Sequence, residues 1–321
     1  MSELHKFLFE GLPVRGMLVR LTDTWQDILA RRSQTGAYEP ALRDALGEMT
    51  AAGALLQANI KFNGAVVLQV SGDGPVKLMV AEVQPDLSLR ATAKQVGSLP
   101  EGDLDLTDLI NVHGRGACAI TLDPKDKLPG QQPYQGVVPL QTADGEPIGQ
   151  LSKVLEQYMR QSEQLDTCIV LAANGDVAAG LLIQKIPSKG QDNLEGQGAH
   201  AEEDDGEAFN RVAHLASTLT REELLTLDAD TILRRLFWEE DVRRFDPLVP
   251  RFACNCSRER VGHMLIGLGR EEVDSVIEEQ GQVQVGCDFC GAQYRFDPVD
   301  VGQLFSSGAE DEARKDGSAL H

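Results

Sequence analysis

No run in this chain approaches the roughly 20 consecutive apolar residues that a membrane helix requires, so no membrane partner is expected. The opening residues, MSELHKFLFEGLPVRG, are interrupted by charge and hold no extended apolar core, which argues against a signal peptide. Positive charge is scarce. Thirty Lys and Arg stand against 50 Asp and Glu, for a formal net charge of −20 and a pI near 4.7. A surface that acidic repels phosphate backbones, which excludes nucleic acid as an expected partner. Nucleotide and catalytic signatures are missing as well. The chain has no GxxxxGK[ST] loop, no GxSxG elbow and no HExxH helix, so neither an ATP-driven machine nor an enzyme is expected. The stretch His113-Gly-Arg-Gly-Ala-Cys-Ala119 matches GxGxxA. It runs into a strand-like segment where a dinucleotide site needs a helix, so a turn is predicted there.

Cysteine is also sparse, with six in 321 residues, but four of the six are concentrated near the C-terminus. They read Cys254-Asn-Cys256 and Cys287-Asp-Phe-Cys290, two tight pairs 30 residues apart. Read as a cytosolic chain, the protein keeps its thiols reduced, and paired cysteines then mean metal or redox chemistry rather than structural disulfides. Four thiolates at short paired spacing favour one tetrahedral zinc ion per chain. His263 lies between the pairs, but four cysteines already complete a tetrahedron, so it is expected on a helix surface. Cys118 and Cys168 lie in apolar strand-like runs and are assigned to packing.

Two readings of the cluster stay open at this point. Spacing alone favours a permanent zinc staple, because a segment under 60 residues builds little core. Against that, the single residue between Cys254 and Cys256 lets two thiolates bond to each other. Each pair carries its own resolving thiol for a sulfenic acid.

Composition divides the chain further. Residues 1–187 read as one α+β domain. Strand-like runs are Gly64–Val70, Val76–Val83, Ala117–Leu122 and Thr167–Ala172, and helical spacing covers residues 41–60 and 149–163. Short connections such as VSGDGPVKL predict antiparallel pairing. Residues 188–247 read as a linker. Its stretch 189–208 is rich in Gly, Gln, Glu and Asp and is predicted to be disordered. The rest of the linker is predicted helical, with Thr220 and Glu223 as a capping box and Leu219 and Leu224 as its staple. Ile232, Leu233, Leu236 and Phe237 form an apolar stripe that is expected to pack on the first domain and to be capable of being uncovered. Residues 248–305 are predicted to hold two short helices, SRERVGHMLIGL and REEVDSVIEEQ, then a β-hairpin with Cys287–Cys290 at its tip. Residues 306–321 read as a disordered tail.

The chain resembles the heat-shock protein 33 family of redox-regulated holdase chaperones over nearly its whole length. The resemblance rests on Cys254-Asn-Cys256-Ser-Arg-Glu-Arg260, Glu271-Glu-Val-Asp-Ser-Val276, Cys287-Asp-Phe-Cys-Gly291 and Tyr294-Arg-Phe296. Upstream it rests on Arg15-Gly-Met-Leu-Val-Arg20, Gln161-Ser-Glu-Gln164 and Ala178-Ala-Gly-Leu-Leu-Ile-Gln184. Asp166 stands where the family pattern has proline, and the acidic segment near 191–208 resembles an insertion.

The resemblance implies a cytoplasmic protein whose reduced form holds zinc on Cys254, Cys256, Cys287 and Cys290 and is inactive. It implies that oxidation forms Cys254–Cys256 and Cys287–Cys290 disulfides, releases zinc and unfolds the C-terminal domain and linker. The exposed surface then binds unfolding client proteins without ATP, as a homodimer. Two other classes compete: a constitutive zinc-stapled adaptor, and a thiol–disulfide oxidoreductase using Cys287 and Cys290. The adaptor expects oxidation to destroy binding, the oxidoreductase expects turnover with a dithiol, and the chaperone expects oxidation to create binding.

Overall fold

The computed structural model describes residues 1–33, 36–126, 131–187 and 198–306. Contacts divide the chain into an N-terminal unit, Met1–Ala253, and a C-terminal unit that begins at Cys254.

The N-terminal unit opens with β1 (Glu3–Phe9), β2 (Val14–Leu21), α1 (Asp23–Ser33) and α2 (Pro40–Asn59). A meander of β3 (Gly64–Ser71), β4 (Val76–Val83) and β5 (Ser88–Gln95) follows, then α3 (Leu106–Ile110), β6 (Ala117–Pro124) and β7 (Tyr134–Pro139). Next come α4 (Leu151–Ser162), β8 (Thr167–Ala173) and β9 (Ala178–Lys185). Three helices close the unit, α5 (Gly198–Ser217), α6 (Arg221–Thr226) and α7 (Ala229–Leu236), with the short strands β10 (Val242–Arg244) and β11 (Arg251–Phe252). The strands form a five-stranded sheet of order β10-β1-β2-β9-β8 and a six-stranded sheet of order β11-β5-β4-β3-β6-β7. Among the described residues every strand pairing of these two sheets is antiparallel except β11 on β5, as the short β1–β2, β3–β4, β4–β5 and β8–β9 connections favour.

Helix α2 explains how the two sheets share a core. It is apolar around nearly its whole circumference, with Leu42, Leu46, Met49, Ala52, Leu55 and Leu56 all buried, and a helix of that kind belongs inside. It packs against strands of both sheets. One face of the five-stranded sheet, carrying Met17, Val19, Leu21 and Leu182, joins this core. Because side chains alternate across a strand, Val14, Leu18, Leu181 and Ile183 point the other way and join a second core with Phe7 and Phe9. Two-sided burial accounts for the unbroken apolar run of β9. The Gly16 of the Arg15–Arg20 segment is needed here, since a Cβ would stand 2.2 Å from the Phe7 ring. The segments Arg15–Arg20 and Ala178–Gln184 are adjacent strands, and Arg15 Nη2 donates to Gln184 Oε1 at 2.5 Å.

The second core is completed by the predicted linker. Phe209, Val212 and Ala216 of α5, Leu219, Leu224 of α6, and Ile232 and Leu233 of α7 are buried there. Phe237, the C-cap of α7, places its ring edge-on to Phe9 at 4.9 Å and near Phe7 at 6.2 Å. Leu236 is partly buried against the same cluster. The stripe Ile232, Leu233, Leu236 and Phe237 therefore packs on the N-terminal sheet. The capping box forms as expected: Glu223 N–H donates to Thr220 Oγ1 and Thr220 N–H donates to Glu223 Oε2.

Two expectations change. Disorder was expected across 189–208, yet α5 begins at Gly198; residues 188–197 lie outside the described residues. Phe209, Val212 and Ala216 anchor the helix, and once nucleated it propagates toward its N-terminus at little cost. The expected boundary at 247/248 moves to Ala253/Cys254. Leu248 exchanges backbone hydrogen bonds with Leu4, and β11 adds to the six-stranded sheet, so these residues fold with the N-terminal unit. The tail from residue 307 lies outside the described residues.

The C-terminal unit contains α8 (Arg258–Leu268), α9 (Arg270–Gln280) and a hairpin of β12 (Val283–Gly286) and β13 (Gln293–Phe296). A further helix spans residues 298–306, which sequence reading left unassigned. Its core is small, with Leu265, Val273, Val283, Phe296 and Val301 buried.

Candidate metal centre

The four C-terminal cysteines arrive at one point by different routes. Cys254 and Cys256 lie in the extended segment before α8, whose start is fixed by Ser257 accepting from Arg260 N–H. Cys287 and Cys290 occupy the turn between β12 and β13. There Cys287 N–H donates to Ala292 O at 2.9 Å and Gly291 N–H to Cys287 O at 2.8 Å. Gly291 has φ of 73°, a left-handed conformation that favours glycine and closes the knuckle.

The four sulfurs all lie within 4.8 Å of one another, and all four residues are partly buried. Cys254 Sγ stands 3.7 Å from Cys287 Sγ, and Cys256 Sγ 3.3 Å from Cys290 Sγ. A zinc ion with four Zn–S bonds of about 2.3 Å spaces its sulfurs by about 3.8 Å. The donor set and its spacing therefore fit a tetrahedral thiolate site for a metal such as zinc. Among the described residues this is the one cluster of metal-ligating side chains.

The electrostatics point the same way. Burial pushes the Cys287 thiol up, and burial together with the neighbouring thiols pushes Cys290 up strongly. Four thiolates cannot share so small a volume unless a cation neutralises them, and a coordinating cation deprotonates such thiols outright. Backbone amides already face the knuckle sulfurs: those of Cys290 and Phe289 face Cys287, and that of Ala292 faces Cys290. Tyr294 Oη donates to Cys256 Sγ at 3.1 Å. Sequence reading used Tyr294 only as part of a family motif. Its place on β13, two residues before the buried Phe296, is the signal that sets its ring beside the cluster.

The remaining candidates stay apart. Cys118 is fully buried in β6, and burial raises its thiol to about 12. Cys168 lies on β8, half-buried, and burial with Glu156 nearby raises it to about 11. Both are poor nucleophiles at neutral pH, in keeping with packing roles. His263 is exposed on α8. The His113–Ala119 stretch forms a turn that runs into β6.

Comparisons place these features among known proteins. A family model described as Hsp33 protein matches residues 2–297. A 33 kDa chaperonin of Methylobacillus flagellatus is 45% identical over 307 residues, covering 95% of each chain. One from Chromobacterium violaceum is 47% identical over 305 residues, covering 95% of this chain and 94% of its own. The crystal structure of the 33 kDa chaperonin (heat shock protein 33 homolog) from Thermotoga maritima superposes with a TM-score of 0.72 at 20% identity. It covers 97% of this chain and 100% of its own, a likeness of fold.

Proposed function

From the premise that this chain belongs to the Hsp33 protein family and is a chaperone of that family, we propose that oxidation of its cysteine cluster switches on its holding of unfolding proteins. The observation that carries the reading is the convergence of four sulfurs within 4.8 Å in a unit with only a small apolar core. In the reduced protein Cys254, Cys256, Cys287 and Cys290 would hold one zinc ion. Bound zinc supplies folding energy, on the order of 10–16 kcal/mol in small zinc-finger peptides.

The chemistry of the switch belongs to the thiols. A sulfur of one pair attacks peroxide, takes one oxygen as a sulfenic acid and releases water. Its neighbour then displaces the second water and forms the disulfide. Each pair of thiols thus gives two protons and two electrons to one peroxide, and pairing Cys254 with Cys256 and Cys287 with Cys290 consumes two peroxides. A disulfide sulfur is no longer a thiolate donor, so the C-terminal unit loses its staple.

The consequence for client binding lies in the second core. The sheet face of Phe7, Phe9, Leu18, Leu181 and Ile183 is covered by α5, α6, α7 and Phe237. Undocking of these helices exposes both apolar surfaces to unfolding clients. No nucleotide is required, the active form is a homodimer, and the cytoplasm keeps the resting thiols reduced. In this reading neither a membrane nor nucleic acid is a partner, and no substrate is turned over. Among the described residues no helix is long and apolar enough to cross a bilayer.

Light scattering of a heat-unfolding client tests the reading, with reduced and peroxide-treated protein compared. Suppression by the oxidised protein alone is expected. Equal behaviour in both states, or binding lost on oxidation, refutes it and favours the constitutive adaptor.

A further inference from the structure

We propose that Tyr294 is a positioning residue of the cysteine cluster, whose hydroxyl holds Cys256 in its ligating form and restrains its oxidation. The inference rests on the redox reading above and assigns a distinct role within it.

The four sulfurs are not supported alike. Cys287 and Cys290 face backbone amides of their own knuckle, which no side-chain change removes. Cys256 instead accepts from a side chain 38 residues away, with Tyr294 Oη at 3.1 Å from its Sγ. Tyr294 is well held for that task. Its backbone is paired with Val285 across the hairpin, and its ring packs against the core of Leu265, Val273, Val283 and Phe296. The phenol is therefore fixed from one side by the fold and aimed at sulfur on the other. It joins the C-terminal hairpin to the segment that carries the first cysteine pair.

A hydroxyl that donates to a thiolate forms a charge-assisted bond, which favours the anionic ligand. The same bond withdraws electron density from sulfur, and nucleophilicity falls with it. Oxidation of the first pair begins when the Cys256 thiolate attacks the O–O bond of hydrogen peroxide. A sulfur–oxygen bond forms, the O–O bond breaks and hydroxide leaves. The Cys254 thiolate then attacks the sulfenic sulfur, the S–S bond forms and a second hydroxide leaves. Two thiolates and one peroxide thus give one disulfide and two hydroxides. Tyr294 occupies a lone pair of Cys256 Sγ, the attacking sulfur in this step, so its loss quickens the step.

The test compares the full-length wild type with Y294F, which keeps the ring and deletes the donor. Competition with a chromophoric chelator is expected to show zinc held about tenfold more weakly, as for other outer-shell partners. With cobalt(II) in place of zinc, the sulfur-to-cobalt charge-transfer band should move to lower energy. Under peroxide, alkylation and mass mapping should show Cys254 and Cys256 lost severalfold faster, with Cys287 and Cys290 changed less. F296L controls for packing and should leave the band unmoved. If Y294F does not fold, protein labelled with fluorotyrosine replaces it. Tyr294 is the one tyrosine from residue 254 onward, and its stronger donor should move each readout the opposite way. Unchanged affinity, band and oxidation order, or slower oxidation in Y294F, overturn the inference and leave the switch intact. A wild type that binds neither metal overturns both.

Discussion

The N-terminal and C-terminal units solve the same stability problem with different materials. The first encloses α2 between two sheets and covers the outer sheet face with three helices, so apolar burial is extensive on two levels. The second buries Leu265, Val273, Val283, Phe296 and Val301 and leaves most of α8 and α9 exposed. A core that small rarely holds a fold without a staple. The thiol cluster is thus concentrated where burial contributes least, and a chemical change there acts on the unit least able to resist it. The contrast recurs within the first unit. The α2 side of the five-stranded sheet is enclosed by a second sheet. Its other side is covered by α5 and by the short helices α6 and α7, and polar contacts fasten α6 at its margins: Arg20 donates to Leu224 O at 2.5 Å, and Arg221 pairs with Asp44 at 2.8 Å.

Metal removal should separate the two units most sharply. Chelation under reducing conditions is expected to cost the C-terminal unit about 10 kcal/mol or more. Amide exchange in α8, α9, β12 and β13 should approach that of an open chain, while β3, β4 and β6 stay protected. Retained protection in the small unit would show that its apolar core suffices.

Phe237→Ala tests the inner contrast. Its ring is buried against Phe7 and Phe9, so truncation should cost about 3–5 kcal/mol. Exchange should rise across α6 and α7 and leave α2 unchanged. A companion change of Ile232 and Leu236 to Ser should loosen the same helices and let the protein hold clients at lower oxidant exposure. Activity lowered in both redox states would instead place those residues on the client-binding surface.

A smaller effect should come from pH through Glu48 on α2. Burial raises its carboxyl to about 7; Arg221 opposes the shift and Asp44 adds to it. A carboxyl raised on folding contributes stability that is complete below its unfolded value near 4.5 and is lost as pH rises through about 7. Urea midpoints of the N-terminal unit should therefore fall between about pH 4.5 and 7 and level off above that, and Glu48→Gln should flatten that fall. Equal slopes in the two proteins would remove Glu48 from the account.

Arg221→Ala should give the smallest change. Its side chain is 50% exposed, and its guanidinium pairs with Asp44 and Glu48 and donates to Ala173 O. A loss of about 1 kcal/mol in α6 docking is expected from hydrogen exchange. A cost as large as that of Phe237→Ala would mean that polar fastening, not apolar burial, holds the linker.

Much of this was legible locally. Strands β3, β4, β6 and β8 and helices α2 and α4 announced themselves by apolar runs or helical spacing. Strands β1 and β2 did not, because Lys6, Arg15 and Arg20 interrupt their pattern. Arg20 finds carbonyl partners on α6 and Arg15 finds Gln184, contacts that no local window contains. The start of α5 at Gly198 escaped composition because packing farther along the helix decides it.

By itself the sequence determined what depends on neighbours in the chain. That includes the two cysteine pairs, the Thr220–Glu223 capping box and the apolar stripe from Ile232 to Phe237. Spacing of a few residues sets whether such groups can meet at all. The tertiary structure alone decided which sulfurs of the two pairs approach, that Tyr294 reaches Cys256, and that the stripe closes on Phe7 and Phe9. It also decided that Leu248 and β11 fold with the first unit. Those outcomes join residues tens to hundreds of positions apart, and only the packed backbone makes them neighbours.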